Sequence, residues 1–241
     1  MNSRNRLDRE MAARGLVTSR SQAESYIKLG KVEVNGKVAN KPGQLVNTAD
    51  SIRLNQVEQY VSRAGLKLAS VAGILDLDFK DAVVLDVGSS TGGFTDYALK
   101  HGASKVVAVD VGSDQLHSSL RGDGRIDLRE KTDIRDVGRL EPTPDIVVID
   151  VSFISLRAVL PSVARLSGPD TEIAAMLKPQ FEAGEKDVNR GVVKNDRIRR
   201  QILKDFELWC RQYFVIVDKA DSDVAGAKGN QERFYLLKKL S

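Results

Sequence analysis

Two lysines and two carboxylates, Lys67, Asp150, Lys178 and Glu232, are widely spaced in the chain, yet their types suit a single reaction. A hydroxyl is a poor nucleophile until its proton is removed or the charge developing on its oxygen is stabilised, and a lysine beside it can do either. A close carboxylate favours the ammonium form of such a lysine and burial disfavours it, so the residues alone leave open whether Lys178 serves as base or as cation. Lys67 and Glu232 complete a second pair of opposite sign, and the four together can hold a hydroxyl-bearing substrate for attack.

The group to be transferred has to come from a cofactor, and one segment is suited to holding it. Asp86-Val87-Gly88-Ser89-Ser90-Thr91-Gly92-Gly93-Phe94 follows the apolar run 82–85 and opens an amphipathic segment at 95–100, the strand, glycine turn and helix of a nucleotide-cofactor site. A glycine turn by itself is a weak signal, and two acids sharpen it. Asp110 ends the second strand, where a carboxylate can accept both ribose hydroxyls of an adenosine. Asp133 follows the third, within reach of the adenine edge, and either acid could instead cap a helix. Val111 and Ile134, the next residues along, are expected beside the same cofactor. No Lys-Ser/Thr pair follows the glycines, which argues against a phosphate-cradling loop. S-adenosylmethionine carries no phosphate and needs no cation there, and Asp86 is a candidate partner for its ammonium group.

These residues have to be positioned by regular elements. Strands are expected at 83–87, 105–110, 126–130, 146–150, 173–177, 214–217 and 234–237, with helical patterns between most of them, which argues a mostly parallel sheet covered on both faces. The short 221–231 connection makes the last two strands antiparallel, because a parallel crossover needs a dozen or more residues. Lys178 and Asp150 then leave the carboxyl edge of neighbouring strands, where ligands of such sheets bind. Ser62 is placed to cap a helix whose apolar stripe is Leu66, Leu68, Ala69, Ala72 and Leu75, with Lys67 on another face.

Charge separates off the first quarter of the chain. Residues 1–60 hold ten Lys/Arg against six Asp/Glu, whereas 61–241 holds 27 of each, so the whole net charge of +4 lies before residue 61. A basic module on a neutral body suits an enzyme acting on a polyanion. Helical spacing covers residues 5–13, Gly15 stops it, Ser19 caps a second helix through Leu29, Asn35-Gly36 signals a hairpin, and short strands follow within 45–54. The expected organisation is a small α+β module at 1–55, a linker at 56–61 and an α/β domain at 62–241, the latter Rossmann-like and seven-stranded. With 241 residues, 41% of them hydrophobic, the chain can bury a substantial core. No stretch approaches the roughly 20 apolar residues of a membrane span. No apolar run follows the charged residues 1–6, and Cys210 is the single cysteine. A secretory leader is therefore not expected, and a cytoplasmic setting is.

Arg6-Leu7-Asp8, Gly15, Ser19-Arg20, Ala23, Ile27, Gly30, Val32, Val34-Asn35-Gly36 and Lys41-Pro42-Gly43 resemble the S4 RNA-binding domain, with Met11 where that family commonly has Leu. The resemblance implies that Arg4, Arg6, Arg20, Lys28 and Lys31 face RNA phosphates. Tyr60-Val61-Ser62-Arg63-Ala64-Gly65-Leu66-Lys67-Leu68, Gly88 to Asp96, Val109-Asp110-Val111-Gly112, Met176-Leu177-Lys178-Pro179-Gln180-Phe181-Glu182 and Gly229-Asn230-Gln231-Glu232 look like the TlyA family. These are FtsJ-like ribosomal RNA 2'-O-methyltransferases often labelled haemolysin A. Over essentially the whole chain this resemblance implies transfer of methyl from S-adenosylmethionine to a cytidine ribose of ribosomal RNA, in one or both subunits. Lys67, Asp150, Lys178 and Glu232 match the family's catalytic tetrad, and Arg63 joins the residues expected on RNA. Asp133 stands where the family is expected to carry Asn, and Glu185-Lys186 follow Gly184 where it tends to be basic first. The polar segment 184–191 reads as a lid, with Arg190, Lys194, Arg197, Arg199 and Arg200 on or after it as RNA contacts or a solvated helix face.

Rival chemistries have less support. A cysteine nucleophile is poorly placed at Cys210, inside the apolar pattern Leu203, Phe206, Leu208 and Trp209. Amine methylation usually presents an Asn/Asp-Pro-Pro-aromatic turn where this chain has Asp150-Val151-Ser152-Phe153. His101 and His117 lack clustered companions, so no metal is expected. The remaining alternatives are a membrane-lytic protein, as the haemolysin label suggests, and an RNA-binding scaffold with an inactive methyltransferase fold.

Overall fold

The computed structural model describes residues 4–17, 19–55, 60–184, 187–188, 191–193, 195–226 and 229–240. The chain divides into two compact units, residues 1–59 and 60–241. Residues 56–59 of the expected linker lie outside the described residues, as do Glu185, Lys186, Arg190 and Lys194 of the expected lid and its flank.

The larger unit is built on a seven-stranded sheet. Its strands are β6 (Val83–Val87), β7 (Lys105–Val109), β8 (Ile126–Arg129), β9 (Ile146–Ile149), β10 (Glu172–Leu177), β11 (Phe214–Asp221) and β12 (Arg233–Lys239). The order across the sheet is β11-β12-β10-β9-β6-β7-β8. Five strands run parallel, and β12 pairs antiparallel with both β10 and β11. The expected strands are all present. β11 extends to Asp221, past the end of its apolar run, because every residue of 233–239 offers it backbone hydrogen bonds or neighbours on β12.

Runs such as Ile146-Val147-Val148-Ile149 are apolar on both faces because helices cover both. One face, with Leu85, Val107, Val147, Ile149 and Ile173, packs on Val159, Leu160 and Val163 of α5 (Leu156–Leu166) and on Leu203 and Phe206 of α7 (Asp196–Cys210). Fully burying each such side chain stabilises the fold by about 1.5–3 kcal/mol. Cys210 belongs to this core, and its burial pushes the thiol up to about 12, which leaves it a packing residue.

On the opposite side, α3 (Arg63–Ala72) crosses α4 (Gly93–Lys100) where glycine meets glycine. A Cβ on Gly93 would lie 2.9 Å from the Gly65 nitrogen. That approach seats the helix carrying Lys67 against the helix that the glycine turn opens. Lys67 is buried rather than facing solvent, because a carboxylate waits for it there.

In the smaller unit, α1 (Leu7–Ala13) and α2 (Arg20–Lys28) pack together beside a three-stranded sheet of β2 (Val32–Val34), β3 (Lys37–Val38) and β5 (Ile52–Leu54). Ser19 caps α2, accepting from the Gln22 N–H at 3.2 Å. Asn35 and Gly36, both at positive φ, turn the β2–β3 hairpin. Helix α1 begins at Leu7 rather than residue 5. Asn5 and Arg6 form β1, which pairs with β4 (Leu45–Val46), a long-range exchange that local helical spacing does not reveal.

Candidate active site

The glycine turn leaves β6 and returns into α4. Gly88 (φ +83) and Gly92 (φ +88) occupy backbone conformations that favour glycine. A Cβ on Gly88 would come within 2.7 Å of the Asp150 carbonyl oxygen, so the turn presses against the end of β9. Ser90, also at positive φ, is held by its own N–H donating to Asp110 at 2.8 Å and its hydroxyl donating to Gln115 at 3.0 Å.

A cavity of about 370 Å³ opens beside this turn, inside the roughly 300–1,000 Å³ range of small-ligand sites. Gly88, Ser90, Asp110, Val111, Asp133 and Ile134 line it, as do Val151 and Phe153, and among the described residues no lysine or arginine does. Asp110 accepts from the N–H groups of Ser90 and Gly112 at 2.8 and 2.7 Å, which fixes its carboxylate at the cavity wall. Asp133 serves both of its possible roles. It caps a single 3-10 turn at Ile134–Asp136 and also faces the cavity, with Arg135 holding its pKa below the usual carboxylate range. Acidic and apolar walls without a cation suit a neutral adenosine and not a phosphate.

A smaller cavity of about 140 Å³ adjoins it, sharing Gly88, Ser90, Asp150 and Ser152, and adding Ala64, Ser89, Thr91, Phe94 and Lys178. Lys178 Nζ lies 2.6 Å from an Asp150 carboxylate oxygen and donates to Ser152 Oγ at 2.7 Å. Lys67 Nζ lies 2.5 Å from Glu232. Lys67 and Lys178 are each 8% exposed and Glu232 1%. The structure thus joins the four residues as two ion pairs, with Lys67, Lys178 and Glu232 buried and Asp150 half-buried. Lys178 and Asp150 border the smaller cavity directly, whereas Lys67 and Glu232 border neither. Ala64 on the cavity wall lies one helical turn before Lys67 on the same face of α3.

Of the other expected cofactor residues, Gly92 and Gly93 shape the turn without lining either cavity. Asp86 stands apart from the expected ammonium contact. It is fully buried behind the turn, lines neither cavity, and accepts the Thr95 hydroxyl at 2.6 Å. Burial first, then the charges of Asp150 and Asp110, push its pKa up to about 7 against the Thr95 hydrogen bond.

In the smaller unit, Arg6 and Arg20 both bind the fully buried Asp8, at 2.9 and 2.7 Å, while their own side chains stay 42% and 52% exposed. Burial opposes ionisation of Asp8, but the hydrogen bonds from the two arginines prevail and hold it down at about 2. Arg4 and Lys31 are exposed, and Lys28 pairs with Glu24 at 3.0 Å across one helical turn. Arg63 is half-buried as the first residue of α3. Arg197 and Arg200 are exposed, but Arg199 is tied to Asp221 at 2.8 Å with its side chain largely covered, so it braces β11 rather than offering an open cation.

Ser152, Gln115 and Ala64 carry site geometry that the sequence reading did not assign. Ser152 sits within Asp150-Val151-Ser152-Phe153, and its place next to a strand-end acid was the available signal. Gln115 and Ala64 gave none. Among the described residues no cluster of His, Cys, Asp or Glu could hold a metal. No helix is long and apolar enough to cross a membrane, again among the described residues.

The comparisons with known proteins agree with this architecture. The family model for FtsJ-like methyltransferase matches residues 60–239, and that for the S4 domain matches residues 5–52. Hemolysin A of Brachyspira hyodysenteriae is 38% identical over 94% of this chain and 97% of its own length. The 16S/23S rRNA (cytidine-2'-O)-methyltransferase TlyA of Mycobacterium tuberculosis is 38% identical over 99% of this chain and 91% of its own. A solved structure from Streptococcus thermophilus, described provisionally as a hemolysin, superposes with a TM-score of 0.73 at 34% identity, covering 100% of this chain and 90% of that one. With its sheet, glycine turn and S4 unit, the chain belongs to the FtsJ-like methyltransferases, in the S4-bearing TlyA and haemolysin A family.

Proposed function

We propose that this protein transfers a methyl group from S-adenosylmethionine to the 2'-hydroxyl of a cytidine ribose in ribosomal RNA, within the small subunit, the large subunit or both. The observation that carries the reading is Lys178, held by Asp150 and Ser152 at a cavity contiguous with the one beside the glycine turn. S-adenosylmethionine supplies an electrophilic methyl group when bound. The larger cavity fits its adenosine through Asp110 for the ribose hydroxyls, Asp133 for the adenine edge, and the apolar walls of Val111 and Ile134. The smaller cavity brings Lys178 to the attacking oxygen.

Lys178, its ammonium group fixed by Asp150 and directed by Ser152, would stabilise the negative charge developing on the attacking oxygen, whose proton would pass to solvent as the bond to the methyl carbon forms. Lys67, one turn of α3 beyond the cavity wall, and its partner Glu232 would orient the ribose or the first pair. Arg4, Arg6, Arg20, Lys28, Lys31 and Arg63 would hold RNA phosphates, which gives binding a steep salt dependence. The setting in which ribosomal RNA is met is the cytoplasm.

Labelled S-adenosylmethionine is incubated with unmodified 30S and 50S subunits and either the protein or its Lys178→Ala variant, and the label is mapped by nuclease digestion. The reading expects 2'-O-methylcytidine, lost in the variant. Label on a base would sink the ribose mechanism. Absence of label on either particle, with S-adenosylmethionine still bound, would favour an inactive RNA-binding scaffold. Dye leakage from liposomes at comparable protein concentration would restore the lytic alternative.

A further inference from the structure

The segment Lys178-Pro179-Gln180-Phe181-Glu182 has a feature that methyl transfer as derived above leaves unused. After Lys178 the chain makes one turn, α6 (Pro179–Glu182), and the Glu182 side chain, 2% exposed, reaches back to the neighbouring strand-end loop. One of its carboxylate oxygens accepts the Ser155 hydroxyl at 2.6 Å, and the other accepts the Leu156 N–H at 2.7 Å. Ser155 and Leu156 are the cap and first residue of α5, immediately after the 150–154 loop that bears Asp150 and Ser152. A charged acceptor at a helix N-terminus makes hydrogen bonds roughly twice as strong as neutral ones.

The 150–154 loop is thereby fastened at both ends. At its start, Asp150 donates its N–H to Val87 of β6, and at its finish the loop enters a helix clasped by Glu182. Between these anchors Phe153 adopts φ +64, a strained conformation for a bulky residue, and is 91% exposed. Its ring tilts against Phe181 with centroids 5.2 Å apart, so the same two segments meet a second time. Strain of this kind persists only where the surroundings enforce it.

We propose that Glu182 is a positioning residue for the reaction. Its carboxylate clamps the turn after Lys178 to the loop after β9, and so sets the Lys178, Asp150 and Ser152 geometry across two strand ends. This rests on the proposed methyl-transfer reading for its kinetic consequence, but its structural consequence stands alone.

Glu182→Ala, Glu182→Gln and Ser155→Ala are made in the full chain, and kcat, KM for S-adenosylmethionine, melting temperature and crystal structures are compared. Glu182→Ala is expected to lower kcat by roughly tenfold to a hundredfold, as a misplaced group does, and to raise KM for the cofactor by a smaller factor, because Val151 and Phe153 of the same loop line the larger cavity. Glu182→Gln keeps an oxygen for the Leu156 N–H and an amide for Ser155 Oγ, and should recover most of that loss. Ser155→Ala should fall between. In the Glu182→Ala crystal structure, Lys178 and Asp150 should separate beyond hydrogen-bond reach and Phe153 should return to negative φ. An unchanged loop in that structure overturns the proposal whether or not the wild-type protein methylates the chosen particle. Losses in kcat that only track melting temperature, with Gln no better than Ala, overturn it as well. If Glu182→Ala does not fold, the Ser155→Ala structure carries the same test, and the Glu182→Gln structure, in which the loop should stay in place, is its control.

Discussion

Both units bury acids against bases, but they do so in opposite ways. In the S4 unit one fully buried carboxylate, Asp8, holds two arginines whose outer faces stay in water. In the methyltransferase unit Lys67 with Glu232, and Lys178 with Asp150, are covered on both sides of the pair. A cation anchored from behind can meet a phosphate in solvent without giving up its carboxylate. A cation sealed within a pair can act only on a group delivered into its cavity. One arrangement is suited to holding a polyanion, and the other to reacting with one chosen atom.

Replacing the buried cation at the cavity gives the largest expected contrast. Lys178→Ala should cut turnover on ribosomal subunits by on the order of 10²–10⁴. Calorimetric affinity for S-adenosylmethionine should hardly change, since Lys178 borders the smaller cavity and not the larger. A parallel fall in cofactor affinity would break the separation between the two cavities.

Breaking one pair in each unit tests burial itself. Glu232→Gln leaves Lys67 covered without its counter-charge and should destabilise the larger unit by about 3–5 kcal/mol. Asp8→Asn leaves two arginines that water can still reach, so its denaturant midpoint should correspond to only about 1–3 kcal/mol. Equal losses would mean that exposure of the cation is not what distinguishes the units.

Two buried, perturbed acids respond to pH in opposite directions. Asp8, held at about 2, contributes stability that is present above about pH 4 and is lost as pH falls toward 2. Asp86, raised to about 7, costs the fold stability as pH climbs from about 4 to 7, because its buried form prefers the proton. Asp86→Asn should therefore melt higher than wild type at pH 8, and the advantage should shrink at pH 5. The smallest effect belongs to Lys28, whose exposed pair with Glu24 is worth about 0.3–0.5 kcal/mol. Lys28→Ala should leave stability nearly unchanged, yet reduce the slope of log affinity for RNA against log salt by about one.

The parallel core was legible because runs such as Val83-Val84-Leu85 and Ile146-Val147-Val148-Ile149 are apolar throughout, which only strands covered on both faces require. The glycine turn and the acids ending β7 and following β8 were legible because their chemistry is local. What escaped was set by distant partners. Asn5 and Arg6 are a strand only because Leu45 and Val46 lie opposite them. Arg199 looked like a free cation until Asp221 came beside it. Ser152 gains its place from Lys178, and Glu182 from Ser155 and Leu156, across gaps of about 26 residues that no periodicity bridges.

The position of β12 bears on how the protein is made. β12 follows β11 in the chain yet lies between it and β10, and Glu232 sits at its threshold. As a ribosome delivers the chain, β10 must keep an unpaired hydrogen-bonding edge until residue 233 and those after it emerge, and such edges invite pairing with other chains. Lys67, synthesised long before, waits through the same interval without its carboxylate. A chain interrupted anywhere short of β12 would therefore be both adhesive and without its second ion pair, so the final insertion couples completion of the sheet to completion of the charged centre.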